Sequence, residues 1–178
     1  MLLAKAMTSG RPHPLYYRFS ERLCRSRKAA GLLAAGLSRA AGLSKNAVAL
    51  LEAGRSLPKL STVEHLARAL GLSPGWLAFG LGDAAAAPAG EELLCSGLAE
   101  RARSTRAERG LSALGLAKAA GLTDGAVRSV ESGRQPSLAT LEALAVALGV
   151  SPAWLAFGTG PRELPRRGSR SLPLEDRT

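Results

Sequence analysis

Side chains that usually carry catalysis are thinly spread in this chain. Its two histidines are His13, in the stretch RPHP, and His65, inside a predicted helix, and neither is spaced to pair with a carboxylate or a cysteine. Acid–base or nucleophilic chemistry needs a base held against a nucleophile and oriented by a third group, so no active site is expected. Cys24 and Cys95 lie far apart in no CxxC or Cys/His pattern, which argues against a disulfide framework and a zinc site. Cys24 reads as a small core residue. No glycine-rich phosphate loop follows a strand. The expectation is no enzyme, no cofactor and no metal. What the chain has in quantity is cation: 24 Lys and Arg against 14 Asp and Glu, a formal charge of +10. That balance points to a polyanionic partner, with nucleic acid first.

The rest of the composition says what must hold those cations. Hydrophobic residues make up 46% of the 178 and aromatics only 4%, so the core is built from Leu, Ala and Val. Such a core suits small helices better than a sheet. The opening MLLAKAM is too short for a signal-peptide core, and no stretch reaches the roughly 18 apolar residues of a spanning helix. A cytoplasmic protein with no membrane partner is expected.

A repeat organises the chain. SPGWLAFG, starting at Ser73, returns as SPAWLAFG, starting at Ser151, and these phrases hold both tryptophans. Upstream, GLSRAAGLSKNAVALLEAGR from Gly36 lies over GLAKAAGLTDGAVRSVESGR from Gly115. The offset falls from 79 to 78 just before Pro58, so the first copy carries one extra residue there, as a loop tolerates and a helix does not. Residues 19–80 and 98–158 therefore read as two domains. Residues 81–97 read as a flexible linker, residues 1–18 as a disordered extension and residues 159–178 as a basic disordered tail.

Within each copy the apolar period is helical. Leu141, Leu144, Ala145 and Leu148 recur at helical spacing before Gly149, and Val63, Leu66, Ala67 and Leu70 do so before Gly71. Ser44 and Thr123 suit helix N-caps, and Gly42 and Gly121 suit a tight turn just before them. The tryptophans are expected to close the core of each copy.

These residues resemble the helix-turn-helix of the XRE, or phage-repressor, family with its lambda-repressor-like fold. The pattern is carried by Leu37, Ser38, Gly42, Val48 and Leu51 in the first copy and by Leu116, Ala117, Gly121, Val127 and Val130 in the second. A small residue and a glycine let two helices cross closely, while the later apolar residues pin the second helix. The resemblance implies an all-α protein of two tandem domains, each of about five short helices. It places Arg27 and Arg106 on first helices, where each would pair with Glu52 or Glu131 of the motif E-x-G-R. Breaking a partly buried pair of that kind costs on the order of 3 kcal/mol.

The resemblance also implies that the helix after the turn enters the DNA major groove, with flanking loops on phosphates. Mapped onto this chain, the DNA-binding candidates are Ser44, Lys45, Asn46, Arg55 and Lys59 in the first copy, and Thr123, Arg128 and Arg134 in the second. Asn can bond adenine through N6 and N7, and Lys can meet guanine or a phosphate. Asp124 is poor for DNA but favourable at a helix start. Ala34 and Ala113 stand where the family commonly has a glutamine.

Charge divides unequally between the copies: residues 19–80 hold nine basic and three acidic side chains, residues 98–158 seven and five. Most of the pull on DNA is expected from the first copy, with Arg162, Arg166, Arg167 and Arg170 of the tail either assisting or merely solvated. A 17-residue linker has a root-mean-square reach of roughly 20–25 Å, enough for one chain to cover two half-sites about 34 Å apart as a covalent pseudo-dimer on an asymmetric site. A homodimer, or a protein partner through the second domain, stays open. The competing reading is a protein-interaction module on the same scaffold.

Overall fold

A computed structural model describes residues 14–85, 90 and 92–163 of the chain. The first copy opens with a 3₁₀ turn, Leu15–Arg18, and continues through α1 (Phe19–Ala29), α2 (Ala34–Ala40), α3 (Ala47–Glu52), α4 (Leu60–Leu70) and α5 (Pro74–Phe79). The second opens with a 3₁₀ turn, Leu94–Gly97, and repeats the order as α6 (Leu98–Glu108), α7 (Ala113–Ala120), α8 (Asp124–Glu131), α9 (Leu138–Leu148) and α10 (Pro152–Phe157). The architecture is all-α, with five helices per copy; the only ladder contacts among the described residues are two isolated bridges. Of the ends expected to be disordered, 1–18 and 159–178, residues 1–13 and 164–178, with Arg166, Arg167 and Arg170, lie outside the described residues, whereas Leu15–Arg18 form an ordered turn.

The helical period becomes burial directly. In α4 the residues Leu60, Val63, Leu66 and Ala67 are buried, and in α9 Leu138, Leu141, Leu144, Ala145 and Leu148. Gly42 and Gly121 carry φ of 67° and 66° at the turn between the second and third helices, a left-handed conformation that costs other residues strain. Trp76 and Trp154 are half-buried at the core edge, while its fully buried aromatics are Phe19, Phe79 and Phe157.

The helices after the turns start differently. Thr123 caps α8, its hydroxyl accepting the Ala126 N–H, and the Val127 N–H closes a longer bond to the Thr123 carbonyl at 3.4 Å. Ser44 does not cap α3, contrary to the sequence expectation: the N-cap is Asn46, with no side-chain cap bond, and α3 has six residues against the eight of α8. Ser38 is the reason. Its buried hydroxyl takes the Val48 N–H at 3.2 Å, the amide that would otherwise begin the helix ladder, and Lys45 and Asn46 are left in a turn. The second copy has Ala117 at that place and nothing to divert the amide.

The copies also pack against each other, sharing one continuous core. Equivalent residues meet: Lys59 forms an antiparallel bridge with Ser137, and a Cβ built on Gly75 of α5 would stand 2.8 Å from the Ala153 Cβ of α10. Other contacts are exchanged reciprocally. Glu64 of α4, wholly buried, accepts the Leu94 and Cys95 N–H groups at 2.6 and 3.1 Å, which caps the second copy's 3₁₀ turn. Glu142 of α9 accepts the Leu15 and Tyr16 N–H groups at 2.8 and 3.1 Å and caps the first copy's turn. A contact in which i meets j while j's counterpart meets i's is isologous, the form taken by two-fold assemblies.

Segments that the sequence places in the linker and tail join this packing. Cys95 is buried, and burial, reinforced by Glu64, pushes its thiol up to about 12, so it stays protonated and inert at neutral pH. The Ser73 N–H bonds the Ala84 carbonyl at 2.8 Å and the Ser151 N–H bonds the Arg162 carbonyl at 2.7 Å. Arg162 lies over the Trp154 ring, 4.8 Å from its centroid, and pairs with Glu108, so it is not a free tail cation. Among the described residues no helix is long and apolar enough to cross a membrane.

Candidate nucleic-acid interface

Two helices crossing at a tight turn hold the third helix of each copy outward. Val48 and Leu51 pin α3 from beneath, against Leu37 and Ser38 of α2, and Val127 and Val130 pin α8 against Leu116 and Ala117 of α7. That leaves Asn46, Ala49, Leu50 and Ala53 exposed along α3. On α8 the same places are taken by Gly125, Arg128, Ser129 and Ser132.

The far end of each third helix is locked to the first. Arg27 of α1 donates from Nε to Glu52 Oε1 at 2.7 Å and from Nη2 to Oε2 at 2.9 Å, while Nη1 reaches the Leu32 carbonyl at 2.7 Å. Arg106 of α6 binds Glu131 at 2.5 and 3.0 Å and the Leu111 carbonyl at 2.8 Å. These side chains are 12–19% exposed, which leaves the paired forks little competing water. Hydrogen bonding to the carboxylate raises both guanidinium groups above their ordinary value. Each arginine thus fixes a third helix and the loop entering the second helix at once.

The sequence-derived residues fall into three groups. Ser44, Lys45 and Asn46 stand exposed together at the start of α3, and Arg55 stands exposed past its end, its N–H bonded to the Leu50 carbonyl at 3.1 Å. Lys59 is exposed too, but its backbone lies where the copies meet. In the second copy Thr123 is exposed and spends its hydroxyl on the cap, Arg134 is exposed past the end of α8, and Arg128 is tied to Asp124, Nε to Oδ2, at 2.6 Å. That bond raises the Arg128 pKa.

Charge pairing sets the copies further apart than raw counts do. Within residues 19–80, Arg25, Lys28, Arg39, Lys45, Arg55 and Lys59 are exposed and hold no ion pair among the described residues; within 98–158 only Arg109, Lys118 and Arg134 are in that position. The first copy's acids are mostly spent inward, Glu52 on Arg27 and Glu64 on the copy interface, which leaves Glu21 exposed.

Sequence reasoning missed three architectural sets. Arg22 donates to the Leu77 and Ala78 carbonyls at 2.9 and 2.5 Å, and its counterpart Arg101 to those of Leu155 and Ala156 at 2.9 and 2.6 Å, closing the carboxyl ends of α5 and α10. Glu64 and Glu142 form the second set and Ser38 the third. The first two were marked in the repeat itself, as charged residues identical in both copies. Ser38 was marked as a difference, a hydroxyl facing an alanine.

Among the described residues no cluster of His, Cys, Asp or Glu could hold a metal ion. A family model described as helix-turn-helix matches residues 103–155, and a second, described as helix-turn-helix domain, matches residues 18–77. No curated protein matches the chain.

Proposed function

We propose, from the premise that this chain is a tandem helix-turn-helix protein of the XRE type, that it is a repressor-like transcriptional regulator binding double-stranded DNA as a covalent pseudo-dimer. The observation that carries this reading is the set of six exposed cations within residues 19–80 that hold no ion pair among the described residues, two of which, Lys45 and Arg55, bracket the exposed face of α3. Cations without acidic partners are the ones that can release counterions from phosphate. Asn46 supplies a base-edge donor and acceptor at the start of the same helix.

The isologous contact supports the pseudo-dimer. Two-fold dimers of this motif set two third helices on successive turns of one duplex face, and here one chain supplies both. Covalent connection makes that pairing independent of protein concentration. Because α3 and α8 present different side chains, the bound site is asymmetric, with the first copy supplying most of the affinity. Ser44, Lys45, Asn46 and Arg55 are its principal contacts, with Thr123, Arg128 and Arg134 on the weaker half and Lys59 between the two.

A second reading has one observation in its favour: Leu33, Leu50 and Leu57 of the first copy are 79, 44 and 49% exposed, as a protein-docking surface would be. Binding of the purified chain to random-sequence duplexes across a salt titration separates the two. DNA binding predicts affinity that falls steeply between low and moderate salt and is lost in a Lys45→Ala, Asn46→Ala double variant. No binding at low salt would assign the scaffold to a protein partner.

A further inference from the structure

We infer that Leu50 is a specificity-determining residue that reads a thymine methyl group, so that only the first copy's half-site is read through a methyl contact. The inference rests on the DNA-binding reading above and adds the chemistry by which half of the site is recognised.

The exposed face of α3 carries little that could read any other feature of a base pair. Asn46 holds its one polar group, and Leu50 stands one turn further on, its N–H bonded to the Asn46 carbonyl at 3.1 Å. Leu50 is 44% exposed although Val48 and Leu51 beside it are buried, so packing does not account for a leucine there. Ala49 and Ala53 have no donor or acceptor side chain. In the major groove the one apolar feature of a base pair is the thymine 5-methyl, and adenine of the same pair type offers the N6 and N7 that an asparagine amide engages. Asn46 and Leu50 therefore ask for A·T pairs.

The surroundings select DNA as the occupant. Lys45 and Arg55 stand at the two ends of the face, both exposed and without ion pairs among the described residues, and the Arg55 N–H is bonded to Leu50 itself. A protein seated on Leu50 would bury those cations without a match unless it were acidic; a duplex meets them with phosphates on either side of the groove. On α8 the corresponding residues are Gly125, Arg128 and Ser129, with no apolar side chain to meet a methyl.

The test uses the full chain and a duplex selected from a random pool. Each thymine is replaced in turn by deoxyuridine, which removes the methyl and nothing else. One replacement in the first copy's half-site should weaken binding about fourfold, the worth of one buried methyl-sized group, and replacements in the other half should do nothing. Leu50→Ser, which installs the second copy's residue at an exposed position, should bind about fourfold more weakly at an unchanged melting temperature and should no longer distinguish thymine from deoxyuridine; Leu50→Ala should retain part of the discrimination. Salt-dependent DNA binding with no sensitivity to any replacement, or the same sensitivity in Leu50→Ser, would overturn this inference and leave the DNA-binding reading in place. Failure to bind DNA at all would overturn both.

Discussion

The two copies share the charged side chains that tie each together and to the other, and differ where their third helices face outward. Arg22 and Arg101, Arg27 and Arg106, Glu52 and Glu131, and Glu64 and Glu142 are identical and make corresponding hydrogen bonds in both, to which Glu64 alone adds Arg68. Over the third helices Lys45 faces Asp124 in the comparison, Ala49 faces Arg128 and Leu50 faces Ser129. A charged group buried at an interface is costly to lose, whereas an exposed side chain is nearly free to change. The exposed faces of the third helices are thus free to present different side chains.

The strongest way to break the shared framework is through the reciprocal caps. Glu64 is wholly buried and answers two buried or half-buried amides as well as Arg68, while Glu142 is half-buried and answers amides nearer the surface. Glu64→Ala should cost on the order of 3 kcal/mol in urea unfolding and Glu142→Ala about 1 kcal/mol, because an unsatisfied donor is penalised in proportion to its separation from water. Equal losses would mean that the two halves of the interface are energetically alike. Because one core spans both copies, the wild-type chain should unfold in a single transition rather than two.

A smaller effect is expected at Gly75, where the two copies meet through corresponding residues that differ. The first copy has glycine inside α5 where the second has Ala153 in α10, and two alanines would bring their Cβ atoms to 2.8 Å. Glycine inside a helix sacrifices about 1 kcal/mol of propensity, and the close approach explains why it is kept. Gly75→Ala should lower stability by about 1 kcal/mol net, and adding Ala153→Gly should restore it. A stabilised Gly75→Ala variant would show that the helices can slide apart at no cost.

The fold was legible because the chain states it twice. Alignment of the copies exposed the helical periods and the turn glycines, a one-residue offset located a loop, and the family resemblance supplied the arginine–glutamate pairs, whose 25-residue spacing recurs in both copies. The packing of copy on copy was not legible, since Glu64 sits in an ordinary helical heptad and its partners are backbone amides 30 and 31 residues away. Backbone amides carry no residue-type signal. The late start of α3 has a similar cause: the Val48 N–H that would bond the Ser44 carbonyl is taken by the hydroxyl of Ser38, ten residues away. For the proposed reading face, the sequence named the candidates and could not show which of them are ion-paired. Arg128 looked like a free cation, and its tie to Asp124 depends on α8 beginning early enough to bring positions 124 and 128 onto one face.

That tie gives the mildest and sharpest test of the comparison. The pair is exposed on the arginine side, so Asp124→Ala should leave the melting temperature nearly unchanged. Its effect should appear on DNA, where freeing Arg128 and removing an anion makes one more phosphate contact available. The slope of log affinity against log salt on random-sequence duplex should then steepen by up to about 0.9. Lys45→Asp, which gives the first copy the second copy's residue, should flatten the slope by at least as much. If the two changes shift the slope in these opposite directions, the pair of corresponding positions 45 and 124 carries part of the difference in strength between the copies. If Asp124→Ala leaves the slope where it was, α8 does not lie against phosphate, and the second copy contributes the interface that holds α3 in place rather than a half-site of its own.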